Sequence, residues 1–137
     1  MTTPVSLERA STVPPRQRVV AVLAVAVARA LVALPPARLR QALRFASAGA
    51  RRATAAEALR ARTAVVTVSR RCAGQQCLQR SVATALLCRA RGAWPTWQTG
   101  VRTEPFTAHA WVSVDGVPIG EAPHLCAYTP IMVVGPR

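Results

Sequence analysis

The chain has 137 residues, enough to bury most of one core, which indicates a single domain and excludes a multidomain protein. Its net charge of +13 comes from Arg alone, since there is no Lys, and it is uneven: residues 1–71 hold 13 Arg against two acids (+11), and residues 72–137 hold five against three (+2). A basic half of this kind suits an acidic partner, a nucleic acid or a membrane surface, or only solvates helices.

Residues 1–15 carry Thr, Ser and Pro, and we predict that they are disordered. The remaining residues, 16–137, form one predicted domain. Its first part, 16–70, is basic and helical, and its second part, 71–137, holds the residues that can do chemistry. The two parts therefore have different compositions within one domain.

The apolar run VVAVLAVAVARALVAL at residues 19–34 resembles a signal peptide or a membrane span. It has 16 residues with Arg29 inside, which is short for a hydrocarbon core of ~30 Å. The small residues inside it resemble a cleavage site, but the pattern continues directly into further helices. We therefore predict a helix from about Gln17 to Leu34 that is apolar nearly all round and buried, with peripheral membrane contact left open.

Two more helices are predicted before the first chemical motif. The second begins at Pro36, a favourable first helical residue, and ends near Ser47. Thr54, followed three residues later by Glu57, is a capping box that opens a third helix to about Ser69.

The stretch RCAGQQCLQRSVATALLCRAR places Cys77 after a small turn and at the start of an apolar helix that runs to about Arg91. Unpaired backbone N–H groups and the positive end of the helix dipole favour a thiolate there. A helix this apolar has to be enclosed, so we expect it to be the spine against which a sheet packs. Cys77 is the predicted nucleophile.

Short strands follow the helix, and Asp115-Gly116 is a hairpin turn between two of them. The predicted fold class is α+β: N-terminal helices and a central Cys-bearing helix packed on a small antiparallel sheet. We see no internal repeat and no Gly-rich phosphate loop. The strands are predicted at Thr96–Arg102, Ala108–Val114, Val117–Glu121 and Pro130–Val134.

His109 lies near the start of the second strand, and two acids, Asp115 and Glu121, follow it. A Cys, a His and an acid in this order, with the Cys on a helix and the His on a hairpin, are typical of a thiol hydrolase. An extended strand sets Asp115 ~20 Å from His109, which is out of reach.

The position of Glu121 depends on the turn. A two-residue turn would put Glu121 on the face opposite His109, whereas a three-residue loop over 114–116 with a bulge would pair the two residues directly. We predict the bulged loop, with Glu121 as the acid and Asp115 as the alternative acid.

A zinc site is the competing interpretation of the cysteines and histidines, but their spacing matches no usual structural zinc pattern, so no metal is predicted. Nothing in the spacing requires disulfides. Cys88 and Cys126 are predicted to be small buried hydrophobes and His124 a surface residue. The residues considered as zinc ligands are Cys72, Cys77, His109, His124 and Cys126.

Three motifs together resemble one protein family. They are Cys-Leu-x-Arg-Ser, Gly-Val-Arg-x-x-Pro-Phe and Ala-His-Ala-Trp-Val, in this order, within a match that covers roughly Pro35 to Val134. The chain resembles the stand-alone leader peptidase of lasso-peptide biosynthesis, a branch of the transglutaminase-like cysteine-protease superfamily. The resemblance implies a transglutaminase-like or papain-like core.

The resemblance also implies roles for the site residues. Cys77 would attack the peptide carbonyl that joins leader to core, His109 would take and return the proton, and the acid would orient the imidazole. The N–H of Cys77 is the expected oxyanion donor, with Gln75 or Gln76 as a possible second. Trp111, Arg102 and Phe106 are candidates to line the substrate cleft, or else pack and solvate the sheet.

Partners follow from the same resemblance. The precursor's leader peptide would be presented by a separate recognition protein, and the product would pass to an ATP-dependent macrolactam synthetase, the lasso cyclase. No cofactor and no nucleic acid are expected, and the expected location is cytoplasmic. Two alternatives remain: a basic nucleic-acid-binding module, whose affinity would fall steeply with salt, and a transamidase or inactive docking subunit of the same fold.

Overall fold

The structure, a computed structural model, describes residues 12–121, 125 and 127–136. The predicted disorder of residues 1–11 and the predictions for His124 and Cys126 lie outside these residues. In the described part, the chain forms, in order, α1 (Pro15–Val32), α2 (Pro36–Ser47), β1 (Arg51–Arg52), α3 (Ala55–Val68), α4 (Arg70–Ala73), α5 (Cys77–Arg89), β2 (Ala93–Trp94), β3 (Thr96–Thr103), β4 (Phe106–Val114), β5 (Val117–Pro118) and β6 (Thr129–Val134).

The predicted α+β class is confirmed, because the helices pack against one antiparallel sheet with the order β5-β4-β3-β6. Helix α5 is the spine: it contacts α1 and α3 on one side and β4 and β3 on the other. Two features were not predicted, the short helix α4 and a parallel pair between β1 and β2.

Helix α5 is tied to the sheet by buried side chains. Val82, Ala83 and Ala85 are fully buried, and the indole Nε1–H of Trp97 on β3 donates to Ser81 Oγ at 3.0 Å. Because a buried indole N–H is costly without an acceptor, this bond fixes the helix against one register of the strand. The N-terminus of α5 is thereby held over the sheet.

Helix α1 differs from the prediction of a fully buried helix. Its buried residues are small, Ala21, Ala24 and Ala28, while larger apolar side chains such as Val19 (62% exposed) and Leu23 (60% exposed) face outward. The alanines recur at helical spacing, so they form one face that allows close approach to α5. Among the described residues, no helix is long and apolar enough to cross a membrane.

The beginning of α1 also differs. It starts at Pro15, and Val13 before it is buried, so the predicted disordered segment does not extend through residue 15. Pro15 occupies the first helical position, where its missing N–H costs nothing.

The third helix begins as predicted. Thr54 Oγ1 accepts from the N–H of Glu57 at 3.1 Å, and Glu57 Oε2 accepts from the N–H of Thr54 at 2.8 Å, which completes the capping box. Arg51 adds two bonds to the same carboxylate, at 2.7 and 3.0 Å. This cap joins β1 to α3.

The hairpin prediction is wrong in one respect. Val114 pairs with Val117, so the turn has two residues, Asp115 (φ 52°) and Gly116 (φ 80°), rather than three with a bulge. Two consecutive left-handed residues are typical of a type I′ turn, whose twist matches that of the flanking strands. The predicted strand to Glu121 is also too long, since β5 ends at Pro118.

Candidate active site

The turn before α5 is held from beneath by a buried arginine. Arg80, 7% exposed, donates through Nη1 to the carbonyls of Cys72 at 3.0 Å and Gly74 at 3.1 Å. Since Arg80 belongs to α5 itself, the helix organises the turn that leads into it. Cys77 is the first residue of α5, as predicted.

The backbone at Cys77 differs from the expectation of an unpaired amide. Its N–H donates to the carbonyl of Gln75 at 2.9 Å, and Gln76 between them has φ −83° and ψ 61°, the geometry of an inverse γ-turn. The side chains of Gln75 and Gln76 are both exposed. For the Cys77 N–H to bind an oxyanion, it has to leave the Gln75 carbonyl.

His109 is held on β4 by aromatic rings. Its ring stacks on Trp111 with centroids 5.9 Å apart and planes 16° apart, and Tyr128 lies at 5.9 Å. Trp111 is 4% exposed and lies over Gly100, where an added Cβ would come within 2.9 Å of the indole and 2.8 Å of the Thr129 carbonyl. Gly100 therefore leaves the space in which Trp111 supports the imidazole.

The structure brings Glu121 and not Asp115 to His109. Glu121 Oε2 lies 3.0 Å from His109 Nε2. Asp115 has a side chain that is 78% exposed and lies 4.0 Å from Arg52.

The route to this contact is not the predicted one. Ile119 still follows the two-residue register, donating to the Val112 carbonyl at 3.0 Å. Gly120 then turns the chain with φ 66°, so Glu121 leaves the strand alternation that would have placed it on the opposite face from His109.

Electrostatics favour a charged thiol and imidazole together. Burial by itself raises the pKa of Cys77, but the hydrogen bond with His109, the N–H of Ala110, and the charges of His109 and Arg80 outweigh it, and the net pKa is lowered. The hydrogen bonds with Cys77 and Glu121 raise the pKa of His109 to about 9 despite burial. Because Nε2 faces Glu121, Nδ1 is the nitrogen available to the thiol.

A cleft of ≈ 240 Å³ opens between the start of α5 and the sheet. Its walls are almost entirely apolar, with the thiol and the imidazole at one side. An extended peptide backbone with a small or apolar side chain suits such a cleft. The lining residues are Cys77, Leu78, Thr99, Gly100, Val101, Ala108, His109, Ala110 and Ile131.

None of the three residues predicted to bind substrate is among the residues that line this cleft. Trp111 lies behind His109, and the Arg102 guanidinium lies 5.6 Å above the Tyr128 ring. Phe106 is 73% exposed at the beginning of β4. Their contact with substrate stays a prediction.

The other thiols in the described residues have a different character. Cys72 and Cys88 are free and buried. Burial raises the pKa of Cys72 and raises that of Cys88 to about 12, so both stay protonated near neutral pH. In the part of the chain that the structure describes, no three His, Cys, Asp or Glu residues come together as a metal site.

Sequence reasoning missed Arg62 on α3. Its side chain is 7% exposed, and Nη2 lies 3.8 Å from Glu121 Oε1. A signal was present, because Arg62 shares helical spacing with the buried residues Ala58, Ala61 and Val65. A charged residue inside an apolar stripe needs a buried partner.

Comparison with known families gives one match. The model described as the transglutaminase-like superfamily matches residues 21–133, which covers all the site residues discussed above. No curated protein and no solved structure matches the chain.

Proposed function

Because the chain belongs to the transglutaminase-like superfamily, we propose that it is a cysteine peptidase that removes the leader from a lasso-peptide precursor. The observation that carries the proposal is the thiol–imidazole–carboxylate arrangement of Cys77, His109 and Glu121 beside an apolar cleft. A lowered thiol pKa beside a raised imidazole pKa is what a nucleophilic cysteine requires.

In the first step, the Cys77 thiolate attacks the carbonyl carbon of the last leader residue. The oxyanion accepts hydrogen bonds from N–H groups at the start of α5, including that of Cys77 once it has left the Gln75 carbonyl. The His109 imidazolium gives its proton to the amine of the first core residue as the C–N bond breaks. The products are a leader thioester on Cys77 and a core peptide with a free amine.

In the second step, neutral His109 takes a proton from water, which attacks the thioester. The leader leaves with a free carboxylate, and the proton on His109 restores the thiolate–imidazolium pair. Glu121 accepts the Nε2–H of His109 throughout, so Nδ1 stays directed at the reacting atoms. The new core amine is the nucleophile that a later ring-closing amide synthesis consumes.

The leader-peptidase assignment is supported by the three motifs. A cleft of ≈ 240 Å³ is smaller than the ~300–1,000 Å³ that is usual for a ligand pocket, so by itself it cannot bind a long leader. We therefore propose that a separate recognition protein presents the precursor, and that an ATP-dependent cyclase receives the product.

The placement of the arginines leaves the nucleic-acid alternative to be tested, because Arg62 is the one buried arginine among residues 12–71 and the others in that range are exposed. Arg62 and Arg80 are buried against Glu121 and backbone carbonyls, and Arg51 pairs with Glu57. Arg62 and Arg80 are therefore engaged inside the protein, whereas Arg51 and the other arginines of the helical half are exposed, and a steep fall of nucleic-acid affinity with salt would support the alternative.

The test is cleavage of a precursor by the purified chain with and without the recognition protein, followed by mass spectrometry of both fragments. We expect a leader ending in a carboxylate and a core with a free amine, much faster with the recognition protein and absent with Cys77→Ala. A leader that ends in an amide formed with an added amine, rather than in a carboxylate, would indicate a transamidase. Equally fast cleavage without the recognition protein, at precursor concentrations well below micromolar, would remove the partner from the proposal.

A further inference from the structure

Arg62 connects the helical half of the molecule to the acid beside His109. The Glu121 carboxylate is shared: Oε2 lies 3.0 Å from His109 Nε2, and Oε1 lies 3.8 Å from Arg62 Nη2. Both Arg62 (7% exposed) and Glu121 (10% exposed) have buried side chains, so solvent screens their interaction weakly. One carboxylate therefore lies between two positively charged groups when His109 is protonated.

The same arginine packs on the backbone that precedes the acid. A Cβ added to Gly120 would come within 2.8 Å of Arg62 Cδ, 2.9 Å of Nε and 3.0 Å of Cζ. Gly120 also has φ 66°, a left-handed conformation that L side chains rarely adopt. Gly120 is thus suited both to the turn and to the close approach of Arg62.

This packing occurs where the sheet no longer guides the chain. The pairing of β4 with β5 ends at Pro118, with one further bond from Ile119, so Gly120 and Glu121 lie beyond the ladder. Arg62 lies against both residues.

We propose that Arg62 is a positioning residue that fixes the Gly120–Glu121 segment so that Glu121 orients the His109 imidazole. The role of Arg62 in catalysis rests on the proposed function. Its effect on the His109–Glu121 contact can also be measured without any substrate, through the reactivity of the Cys77 thiol. Among the described residues, the other titratable groups beside His109 are Cys77 at the start of α5 and Tyr128 before β6, and the charge of Arg80 acts on the Cys77 thiol.

Removing Arg62 has two opposite electrostatic consequences, which makes the test sharp. A cation beside Glu121 repels the His109 imidazolium, so loss of its charge alone would stabilise the thiolate–imidazolium pair and lower the pH at which Cys77 becomes reactive. Loss of positioning instead lets Glu121 move from His109, which destabilises the imidazolium and raises that pH. The direction of the change distinguishes a positioning residue from a nearby charge.

The experiment measures the rate at which iodoacetamide alkylates Cys77 against pH, together with kcat and KM for precursor cleavage. For Arg62→Met, we expect the midpoint of the alkylation curve to rise by about one pH unit, and kcat to fall by about tenfold with KM nearly unchanged. Arg62→Lys should recover part of both effects. Arg60→Met, an exposed arginine on the same helix, is the matched control and should change neither.

A second comparison uses Glu121→Gln. If Arg62 acts through Glu121, adding Arg62→Met to Glu121→Gln changes neither the midpoint nor kcat further, whereas additive effects would overturn the inference. A midpoint that falls or stays constant in folded Arg62→Met would overturn it too. If circular dichroism shows that Arg62→Met does not fold, the alkylation midpoint of Arg62→Lys is measured instead. A rise of that midpoint then supports the inference, and a fall or no change overturns it.

The two proposals fail separately. If the wild-type chain cleaves no precursor but Arg62→Met still raises the alkylation midpoint, the proposed function is wrong and the positioning role holds. If the wild-type chain cleaves and Arg62→Met leaves both the midpoint and kcat unchanged, only the positioning role is wrong.

Discussion

At the scale of single residues, the three described cysteines differ in their ability to become thiolates. The pKa of Cys77 is lowered, burial raises that of Cys72, and burial raises that of Cys88 to about 12. Iodoacetamide near pH 7 should therefore label Cys77 first, which peptide mapping by mass spectrometry measures. Cys77→Ala should abolish the fast phase while keeping the melting temperature, and faster labelling of Cys72 or Cys88 would count against the assignment.

The two acids after His109 give a paired prediction. Glu121→Gln removes the carboxylate 3.0 Å from His109 Nε2, and kcat should fall by about 10²- to 10⁴-fold. Asp115→Asn should change kcat little, because Asp115 is an exposed left-handed turn residue and Asn tolerates that conformation. Precursor-cleavage kinetics and thermal unfolding of both variants check this. A large fall of kcat in Asp115→Asn with little change in Glu121→Gln would instead make Asp115 the acid that orients His109.

Residue types and spacing leave few candidates in this chain for a nucleophile, a base and an acid, but the preference for Glu121 over Asp115 depended on a bulged loop that the structure does not contain. Arg62 could not be found in the same way. Its helical spacing with Ala58, Ala61 and Val65 indicates burial, but only the packing of α3 shows that the partner of Arg62 is the Glu121 carboxylate.

At the scale of elements, the hairpin shows where strand periodicity stops being informative. Alternation along β4 combined with a two-residue turn predicts that Glu121 lies on the face opposite His109. A three-residue loop is the arrangement that would bring the two residues together within the strand pairing. The chain instead keeps the two-residue turn and leaves the ladder at Gly120. A glycine two residues after the end of a short strand was the available signal of that departure.

The capping box of α3 allows a prediction about stability. Thr54→Ala removes the acceptor for the Glu57 N–H and should lower the free energy of unfolding by about 1 kcal/mol. Urea unfolding followed by circular dichroism measures the change. Thr54→Ser retains the acceptor and is the control, so an equal loss in both variants would contradict the role of the cap.

At the scale of the whole molecule, the arrangement of helices followed from capping and apolar periodicity, but the burial of α1 did not. Its sequence is apolar on nearly every side, so periodicity could not identify the packed face. The structure selects the small side chains of Ala21, Ala24 and Ala28 for contact and leaves larger ones outside. The buried face of α1 is therefore the one whose small side chains allow close approach to α5, and this depends on tertiary packing.

The pH dependence of activity follows from the thiol–imidazole pair. We expect kcat/KM to rise with pH as Cys77 ionises, below the ordinary thiol pKa, and to fall near pH 9 as the His109 imidazolium loses its proton. His109 has a raised pKa when folded, so its contribution to stability is complete below its unfolded pKa of about 6.5 and is lost as pH rises through about 9. A pH–rate profile with its alkaline limb near 6.5 would contradict this.

If Cys77 is the nucleophile that carries the leader, the protein passes through a covalent intermediate whose mass can be measured during a single turnover. The chain, in excess over precursor and with the recognition protein present, is quenched in acid at short times and its intact mass is measured. We expect a transient adduct whose mass equals that of the leader less one water, located on Cys77, released by hydroxylamine and absent in Cys77→Ala. Complete cleavage with no adduct at any time, at a rate that Cys77→Ala does not change, would contradict it.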